Sequence, residues 1–330
     1  MKIAIDAMGG DNAPLEIVKG TDIAAREYND VSFILIGDQD KIKECFSREI
    51  KLDIPKNIEI VHTSVAVSMQ DDPMVVMKEK ADSSMAVGLS MLKENEVDVF
   101  LSAGNTGALH AGSTLLVRKL KGIRRSAIAT VLPFKVPILL LDAGANPEAT
   151  EDVLLQWAVI GSLYSEQMFN IEKPRVGLLN NGTEENKGTT VLKEAYQSLK
   201  NDSRINFIGN VESKQLLENP CDVLVTDGFT GNITLKLIEG LGTFMFSSLK
   251  DMFSANVLTK LSYLSMKKQL KKFRMMFDAS EYGGAPLLGL SKPVIKAHGN
   301  SKAYDIKNAI KQAKKYYELD VIGRMTESLQ

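Results

Sequence analysis

The chain has 330 residues, of which 44% are hydrophobic and 25% are charged, enough to bury the core of one large α/β unit or of two lobes. This balance excludes an intrinsically disordered chain, and the formal net charge of −1 argues against a dedicated nucleic-acid binder, which normally carries a basic excess. The two cysteines, Cys45 and Cys221, have no CxxC spacing, so we expect neither a disulfide framework nor a thiolate zinc site, and a reduced cytoplasmic setting is favoured.

Short apolar runs alternate along the chain with longer segments of helical periodicity. Helices are predicted at segments such as 147–169 and 187–200. Strands are predicted at 3–5, 33–36, 97–101, 138–141, 176–179, 205–208 and 223–226. The alternation indicates βαβ units and a largely parallel sheet, in which continuous aliphatic runs such as Ile138-Leu139-Leu140-Leu141 are typical of strands buried on both faces.

The organisation of the chain offers no clear boundary between domains. No low-complexity linker or internal repeat divides it, and we expect residues 1–330 to form a single catalytic α/β unit. The first apolar run is followed at once by Asp6, which indicates a strand and not a signal peptide. No apolar run is long enough to span a bilayer.

Six of the apolar runs end at a glycine beside asparagine or aspartate. These endings fall within Ile5–Asp11, Leu101–Gly107, Leu141–Asn146, Leu179–Thr183, Phe207–Asn210 and Val225–Asn232. Such turns let backbone N–H groups approach an anion at helix N-termini, where the macrodipole also favours negative charge. Because ligands of parallel sheets bind beyond the carboxyl ends of the strands, the pattern predicts an α/β protein that handles phosphate.

A lysine follows the strand predicted at 176–179, in the loop 182–190. The loop is not a nucleotide P-loop, because Lys187 precedes Gly188 instead of following a glycine. A lysine at the mouth of a glycine-flanked loop is still suited to hold a phosphate or a developing oxyanion. The alternative, a solvated loop lysine, stays open.

The richest glycine turn, Asp227 to Lys236, runs directly into helix-forming sequence. Its threonine and asparagine side chains and its unpaired N–H groups are expected at the opening of that helix, where Asn232 can donate to a carbonyl oxygen that becomes negative. Ordinary N-capping by threonine and asparagine is the alternative. The same composition recurs in Ser102–Thr106, which strengthens the functional interpretation.

The histidines are too scattered for a zinc motif, and no Gly-x-Ser-x-Gly elbow is present, so a hydrolytic triad is disfavoured. His298 follows Lys296 in another strand that ends at a glycine, and it can bind phosphate or shuttle a proton. A structural, hydrogen-bonding histidine is the alternative.

Carboxylates also lie at the predicted strand ends. Asp6, Asp11, Asp142 and Asp227 can in principle gather Mg²⁺ with phosphate. Aspartates at such positions more often cap helices or orient loops, so we expect no bound metal.

The segment 246–277 is distinguished by its excess of basic residues, with seven Lys or Arg residues against one Asp. Its apolar residues recur at steps of three or four, first at Phe253, Val257, Leu261 and Leu264 and then at Leu270, Phe273 and Phe277. This pattern predicts amphipathic helices with a basic face, which lie on an anionic membrane or pack on a partner. Membrane contact is predicted for Phe253, Leu261, Leu264, Lys267, Lys268, Lys271 and Lys272. A helical hairpin that buries its apolar face in a dimer is the alternative, and both can hold together.

A second basic cluster lies at Arg118–Arg125. It can meet an acidic partner, although a solvated helix end is the commoner use of such a cluster.

Seven segments together resemble the bacterial phosphate acyltransferase family, PlsX, in the same order over nearly the whole chain. They are Asp6–Asp11, Ser102–Ala108, Asp142–Asn146, Gly177–Asn180 with Lys187–Gly188, Asp227–Asn232, Tyr282–Ala285 and Lys296–Gly299. The resemblance implies an α/β/α sandwich with a largely parallel sheet, similar to the isocitrate and isopropylmalate dehydrogenase fold. It implies transfer of a fatty acyl group from acyl-acyl-carrier-protein to inorganic phosphate, which gives acyl-phosphate for phospholipid synthesis.

Further properties follow from the same resemblance. A homodimer is implied, in the cytoplasm and peripherally associated with the inner face of the membrane. The implied partners are acyl carrier protein and a downstream glycerol-3-phosphate acyltransferase; no cofactor, metal or nucleic acid is expected. The catalytic lysine and asparagine proposed for the family correspond to Lys187 and Asn232.

The glycine loops and the resemblance together give a set of candidate phosphate- and substrate-binding residues. They are Gly10, Asp11, Gly104, Asn105, Thr106, Asn146, Gly182, Thr230, Gly231, Lys296 and His298. Phosphate is already an anionic nucleophile at cellular pH and needs no serine or cysteine relay, so the absence of a triad motif agrees with this chemistry.

Two other functions compete with this hypothesis. A dehydrogenase of the same fold would bind NAD and usually a divalent metal; the absence of Gly-x-Gly-x-x-Gly after the first strand argues only weakly against it. A non-catalytic membrane scaffold that recruits acyl carrier protein through basic patches leaves the glycine loops unexplained. Thioester turnover without nucleotide or metal separates all three.

Overall fold

Aliphatic and β-branched runs form the strands of the computed structural model, which describes residues 1–275 and 282–329. Within these residues the strands are β1 (Lys2–Asp6), β2 (Ser32–Gly37), β3 (Ile58–His62), β4 (Val99–Ser102), β5 (Ala127–Ile128), β6 (Thr130–Leu132), β7 (Ile138–Leu141), β8 (Arg175–Asn180), β9 (Asn206–Glu212), β10 (Val223–Val225), β11 (Ala285–Leu288) and β12 (Val294–Lys296).

Helices occupy most of the segments between these strands. They are α1 (Leu15–Glu27), α2 (Gln39–Glu44), α3 (Ser84–Lys93), α4 (Thr106–Gly112), α5 (Glu151–Phe169), α6 (Thr190–Asn201), α7 (Gly228–Ser254), α8 (Val257–Met275), α9 (Ala303–Glu318) and α10 (Val321–Ser328). Two of them continue as π-helix, α2 through Cys45–Ile50 and α4 through Ser113–Val117.

The chain divides into two compact units. Unit 1 comprises Met1–Thr130, Leu163–Glu172 and Tyr282–Gln330, and unit 2 comprises Val131–Ser162 and Lys173–Glu281. Helix α5 begins in the sequence of unit 2 and ends in that of unit 1. Two of the passages between the units lie within regular elements, β6 and α5, and such passages leave no polar linker for the sequence to show. A single catalytic unit over residues 1–330 stays a prediction about function.

Unit 1 is built on a sheet with the strand order β3-β2-β1-β4-β12-β11-β5. The pairs from β3 to β12 are parallel, while β11 runs antiparallel to both β12 and β5. Strands β1 and β4 are almost wholly buried, and α1 and α9 pack on the core beside them. The carboxyl ends of β1, β4 and β12 therefore lie side by side at one edge of the sheet.

Unit 2 contains a smaller sheet with the order β6-β7-β10-β8-β9. The pairs β7–β10, β10–β8 and β8–β9 are parallel, so their carboxyl ends also share one edge. All four residues of β7 and all three of β10 are buried, as continuous aliphatic runs in a parallel sheet require.

The prediction of an α/β fold with largely parallel sheets is confirmed, with two sheets in place of one. Every predicted strand is present, although β9 extends to Glu212, beyond the predicted end at 208. Helix α6 begins at Thr190 and not at 187, because the hydroxyl of Thr189 accepts from the Leu192 N–H and caps the helix there. Short or half-exposed strands such as β3 and β5 lacked a continuous apolar run and were not predicted.

The basic segment 246–277 is helical as far as it is described. It begins within α7 and continues through α8 to Met275; residues 276 and 277 lie outside the described part of the chain. The two helices contact each other through Phe246 with Phe273 and Phe253 with Tyr263. Among the described residues, no helix combines the length and the apolar character needed to cross a membrane.

One ion pair at the amino-terminal edge of the unit 2 sheet depends on pH. Arg175 donates through Nη2 and Nε to the two carboxylate oxygens of Asp222 at 2.9 and 3.1 Å. Burial raises the pKa of Asp222, but the hydrogen bonds and charge of Arg175 outweigh burial and leave that pKa below its ordinary value. The pair therefore stabilises the fold above about pH 4, and this stabilisation is lost as the pH falls through the lowered pKa.

We expect Asp222→Asn to lower the free energy of unfolding at pH 7 by about 1–3 kcal/mol, because a charged hydrogen-bond partner is lost. The deficit should shrink as the pH falls below about 4, where the wild-type carboxylate takes up a proton. Urea unfolding followed by circular dichroism at pH 7 and pH 3 measures both. Glu185→Gln, which breaks the half-exposed pair with Lys200, serves as the control and should have little effect at either pH. A deficit for Asp222→Asn that is equal at both pH values would contradict the linkage.

Candidate active site

Three glycine-containing loops meet at the carboxyl edge of the unit 1 sheet. We define the unit 1 loop cluster as residues 9–11 after β1, 102–106 at the end of β4 and 296–299 at the end of β12. The Asp11 N–H donates to the Gly299 carbonyl at 2.7 Å, and Lys296 Nζ donates to the Ala103 carbonyl at 3.2 Å. The strand order thus brings together residues that are far apart in the sequence.

A buried carboxylate orients two of these loops. Asp6, with 2% of its surface exposed, accepts from Ser84 Oγ at 2.6 Å, from Ser102 Oγ at 2.7 Å and from the Met8 N–H at 3.2 Å. Ser102 Oγ in turn accepts from the Gly104 N–H at 3.0 Å. Burial raises the pKa of Asp6 against these hydrogen bonds, which favour the charged form. Because the Gly104 N–H donates to Ser102, it points into the interior of the cluster.

Gly10 allows the first loop to approach the other two. Its φ of +101° lies in the left-handed region, and a Cβ there would lie 2.9 Å from the Gly299 carbonyl oxygen and 3.1 Å from Ala103 Cβ. Any larger residue would push the loops apart.

Asn105 has an architectural part in this cluster. Its Oδ1 accepts from the Ala108 N–H at 3.0 Å and caps α4, and its Nδ2 donates to the carbonyls of Ser68, Met69 and Asp71. The side-chain amide is thus fully engaged, whereas the first-turn N–H groups of Thr106 and Gly107 have no acceptor within the helix. Anion contacts from this loop would come from those amides and from the half-buried Thr106.

Lys296 and His298 differ in exposure although they are neighbours in the sequence. Lys296 is 8% exposed, and its ammonium donates to the carbonyls of Ala103 and Ala297. The side chain of His298 is exposed, as is that of Asp11. The buried lysine supplies positive charge under the loops, and the histidine lies on their outer side.

A second buried carboxylate organises the carboxyl edge of the unit 2 sheet. Asp142 is fully buried, and its Oδ1 accepts from the N–H groups of Gly144 and Ala145 at 3.2 and 3.1 Å. Its Oδ2 accepts from the backbone N–H and the Nδ2 of Asn146 at 2.7 and 2.9 Å. The backbone N–H and the side-chain amide of Asn146, a predicted binding residue, therefore both donate within the loop.

The start of α7 packs directly on this loop. The Gly228 N–H donates to the Asn146 carbonyl at 2.8 Å, and a Cβ on Gly231 would lie only 1.9 Å from the Asp142 carbonyl oxygen. Asp227 caps the helix through the N–H of Thr230 at 2.8 Å and also accepts from its hydroxyl at 2.9 Å. Glycine at position 231 is thus required by close approach of two backbones.

Asn232, the predicted oxyanion donor, is exposed on α7, one residue after Gly231 and beside Gly144. A Cβ on Gly144, whose φ is +133°, would lie 3.3 to 3.5 Å from the side-chain atoms of Asn232. Gly144 therefore leaves room for the asparagine side chain, which is not used in capping.

Lys187, the other predicted catalytic residue, is exposed in the loop between β8 and α6. A Cβ on the buried Gly182 would lie 2.7 Å from Lys187 Cγ, so the lysine stem passes over this glycine. Within the described residues, the Lys187 ammonium makes no ion pair or hydrogen bond. It is thus available to an anionic group.

The predicted residues fall into two sets, one in each unit. The unit 1 set contains Gly10, Asp11, Gly104, Asn105, Thr106, Lys296 and His298, and the unit 2 set contains Asn146, Gly182, Lys187, Thr230, Gly231 and Asn232. The sequence did not identify Ser84 and Asn210, which hold these loops from neighbouring elements. Ser84 follows no strand-ending glycine, and Asn210, although it follows Gly209, gives no sign in the sequence of its contact with Glu184; only the pairing of elements reveals both contacts.

The remaining candidates are placed as follows. His62 accepts from the Gln39 N–H through Nδ1, and His110 Nε2 lies 3.1 Å from Ser126 Oγ, which gives both a structural contact. No group of three or more His, Cys, Asp or Glu residues in the described ranges 1–275 and 282–329 could hold a metal ion.

The predicted membrane residues lie on the α7–α8 segment. Leu261 and Leu264 are 57% and 64% exposed, Lys267 and Lys268 are also exposed, and Phe253 is half-buried against Tyr263. Lys271 and Lys272 belong to α8, and nothing further is described of their side chains.

Comparisons with known proteins show which family the chain resembles. A family model described as "Fatty acid synthesis protein" matches residues 1–324. A phosphate acyltransferase of Caldanaerobacter subterraneus subsp. tengcongensis is 48% identical, over 100% of this chain and 98% of that protein. A phosphate acyltransferase of Lactococcus lactis is 45% identical, over 100% of this chain and 99% of its own length. The chain belongs to the phosphate acyltransferase family, PlsX.

Membership of this family confirms the resemblance drawn from the sequence and the prediction that the chain is an enzyme, a phosphate acyltransferase. Solved structures add a likeness of fold. A phosphotransacetylase from Streptococcus pyogenes matches with a TM-score of 0.65 at 17% identity, covering 96% of this chain and 94% of that one. At this identity the likeness concerns the fold alone.

The contact between Gly231 and Asp142 yields a test of the unit 2 loops. We expect Gly231→Ala to lower the free energy of unfolding by about 2 kcal/mol or more, because the methyl group would displace the start of α7. The matched control is Gly240→Ala in the same helix, where a Cβ meets nothing within 4 Å; better helix propensity should raise stability there by up to about 1 kcal/mol. Thermal unfolding measures the melting temperatures of both variants. Equal melting temperatures for Gly231→Ala and Gly240→Ala would contradict the proposed close approach.

Proposed function

We propose that the enzyme transfers a fatty acyl group from acyl-acyl-carrier-protein to inorganic phosphate, and that the acyl-phosphate formed enters phosphatidic acid synthesis. The observation that carries this proposal is Lys187 with an unpaired ammonium, within the described residues, in a glycine-flanked loop of a phosphate acyltransferase. A downstream glycerol-3-phosphate acyltransferase would consume the product.

The unit 1 loop cluster is the proposed phosphate-binding element. The first-turn amides of α4 and the Thr106 side chain would donate to phosphate, and the buried ammonium of Lys296 would add positive charge beneath them. Gly10 and Gly104 would keep the loops close enough to wrap an anion, and Asp11 and His298 lie on the outer side. Asn105 would contribute by fixing α4 and not by a side-chain contact.

The chemical step would be direct attack on the thioester. A phosphate oxygen adds to the carbonyl carbon, which forms the new C–O bond and a tetrahedral oxyanion. The C–S bond then breaks, and the carrier-protein thiolate departs with the electron pair and takes up a proton from water. Phosphate needs no activating relay, so positioning and electrostatics would supply most of the rate.

Lys187 and Asn232 are the proposed donors to the oxyanion. Both are exposed. Lys187 lies in a loop that the buried Asn210 anchors at Glu184, and Asn232 lies on α7, whose start packs on the loop that Asp142 holds. The lysine would supply a compact positive charge and the asparagine an N–H donor. Asn146, Gly182, Thr230 and Gly231 would shape these loops around them.

The deciding experiment measures release of carrier-protein thiol from acyl-acyl-carrier-protein, with hydroxylamine to trap acyl-phosphate. Thiol release that requires phosphate, survives EDTA and yields hydroxamate supports the proposal. Turnover with acyl-coenzyme A alone would overturn the carrier-protein donor. Release that does not depend on phosphate would overturn the acceptor.

Lys187→Ala is expected to lower kcat by about a hundredfold or more, since one oxyanion donor is removed. Lys193→Ala, at another exposed lysine in the neighbouring α6, should leave kcat unchanged. Retained turnover in a folded Lys187→Ala enzyme would remove this lysine from the proposed role.

The α7–α8 segment is the proposed contact with a second copy and with the inner face of the cytoplasmic membrane. Apolar residues at every third or fourth position of α7 are exposed: Phe229, Ile233, Leu237, Leu241 and Phe244. A contiguous apolar stripe of this kind marks an interaction surface. The basic, exposed α8 would add electrostatic attraction to anionic lipid.

The double variant Lys267→Gln/Lys268→Gln should weaken binding to vesicles that contain anionic phospholipid, by about tenfold or more at low salt, because each lysine near the surface contributes roughly 1 kcal/mol. Activity on soluble substrates should be spared. Lys41→Gln/Lys43→Gln, on α2 of unit 1, is the charge-matched control. A vesicle sedimentation assay in which both double variants bind like wild type would speak against the electrostatic contribution.

A further inference from the structure

Two buried asparagines of unit 2 have no part in the chemistry described so far. Asn180 ends β8 and Asn210 lies within β9, and they are 8% and 7% exposed. In the parallel register Leu178 lies opposite Asn210, so Asn180, two residues further on, faces the same side of the sheet. Their side chains therefore meet beneath the loop that carries Lys187.

The two amides hold this loop at two carbonyls. Asn180 Nδ2 donates to the Lys187 carbonyl at 3.2 Å and to Asn210 Oδ1 at 3.1 Å. Asn210 Nδ2 donates to the Glu184 carbonyl at 2.8 Å. Asn180 Oδ1 also accepts from the Asn181 N–H at 2.8 Å, where the loop leaves β8. We call Asn180 and Asn210 the amide clamp.

The loop between the clamped carbonyls is itself a tight turn. The Lys187 N–H donates to the Glu184 carbonyl at 3.1 Å. Gly188 follows with a φ of +85°, and a Cβ there would lie 2.6 Å from Asn180 Oδ1. The clamp thus reaches both sides of Lys187, while Gly182 supports the lysine stem.

We propose that Asn180 and Asn210 are positioning residues, which set where the Lys187 ammonium lies relative to the reacting carbonyl. This inference rests on the proposed function of Lys187. Because a lysine side chain has many rotamers, fixing its backbone limits the space that the ammonium can occupy. A misplaced catalytic group can cost as much as a hundredfold in rate.

The test is Asn210→Ala, because Asn210 makes no hydrogen bond to Lys187 itself. We expect kcat to fall by about tenfold or more, while KM for phosphate changes by less than about twofold because the oxyanion donor acts in the transition state. The matched control is Asn206→Ala on the same strand, whose side-chain amide donates to the Lys173 carbonyl at 3.2 Å at the far end of β9. That variant should keep wild-type kcat.

A double-mutant cycle separates positioning from general damage. If Asn210 acts through Lys187, adding Asn210→Ala to Lys187→Ala should lower kcat by less than about twofold further. A full loss in both backgrounds would overturn the inference. So would unchanged kcat in Asn210→Ala when Lys187→Ala lowers it, and that outcome leaves the proposed function intact.

Amide hydrogen exchange of residues 182–188 tests the clamp without reference to activity. Exchange should become at least several-fold faster in Asn210→Ala and stay unchanged in Asn206→Ala.

If Lys187→Ala keeps full turnover, the catalytic proposal fails and positioning fails with it, whereas faster exchange would still establish the clamp. Unchanged exchange would overturn the clamp even with activity lost. Should Asn210→Ala not fold, Asn210→Asp retains the oxygen that accepts from Asn180 and lacks the donor to Glu184.

Discussion

Peptide groups that leave a parallel strand at its carboxyl end lose their partners in the ladder, and in each unit a buried aspartate accepts from the backbone there. Asp6 does so after β1, and Asp142 does so after β7. A buried N–H without an acceptor costs about 1–3 kcal/mol. Each loop could not turn so sharply against its neighbours without its carboxylate. The close approaches of Gly10 and Gly231 are built on these two turns.

This use of carboxylates decides which donors remain for an anion. The Gly104 amide is committed to Ser102, the Asn146 amide to Asp142 and the Thr230 amide to Asp227. Glycine-rich sequence alone overstates the number of available amides, because many of them stabilise the loop itself. In the proposed mechanism, the exposed Lys187 and the buried Lys296 would therefore supply more of the electrostatic stabilisation than the loop composition implies.

The sequence predicted the strands that are continuous aliphatic runs, because burial on both faces leaves an unmistakable pattern, as in β7. It also located the loops after them, since glycine beside asparagine or aspartate is a local signal. It could not reveal that β12 inserts beside β4, which depends on long-range pairing. For the same reason the sequence could not show that the side-chain amide of Asn105 holds the loop at 68–71. The contact of the Asn210 amide with Glu184 could not be predicted, because the two residues are far apart in the sequence.

The strand order of unit 1 has a consequence for how the protein is made. Strand β4 ends at Ser102, but its neighbour β12 begins only at Val294, and β12 lies inside the sheet with β11 and β5 beyond it. During synthesis, the edge of β4 that pairs with β12 therefore stays unpaired until almost the whole chain has emerged. Unit 2, whose sheet needs nothing beyond Val225 except helices, can assemble first. A stalled or shortened chain would thus present an open β edge, the kind of surface on which nascent proteins aggregate and which chaperones must cover.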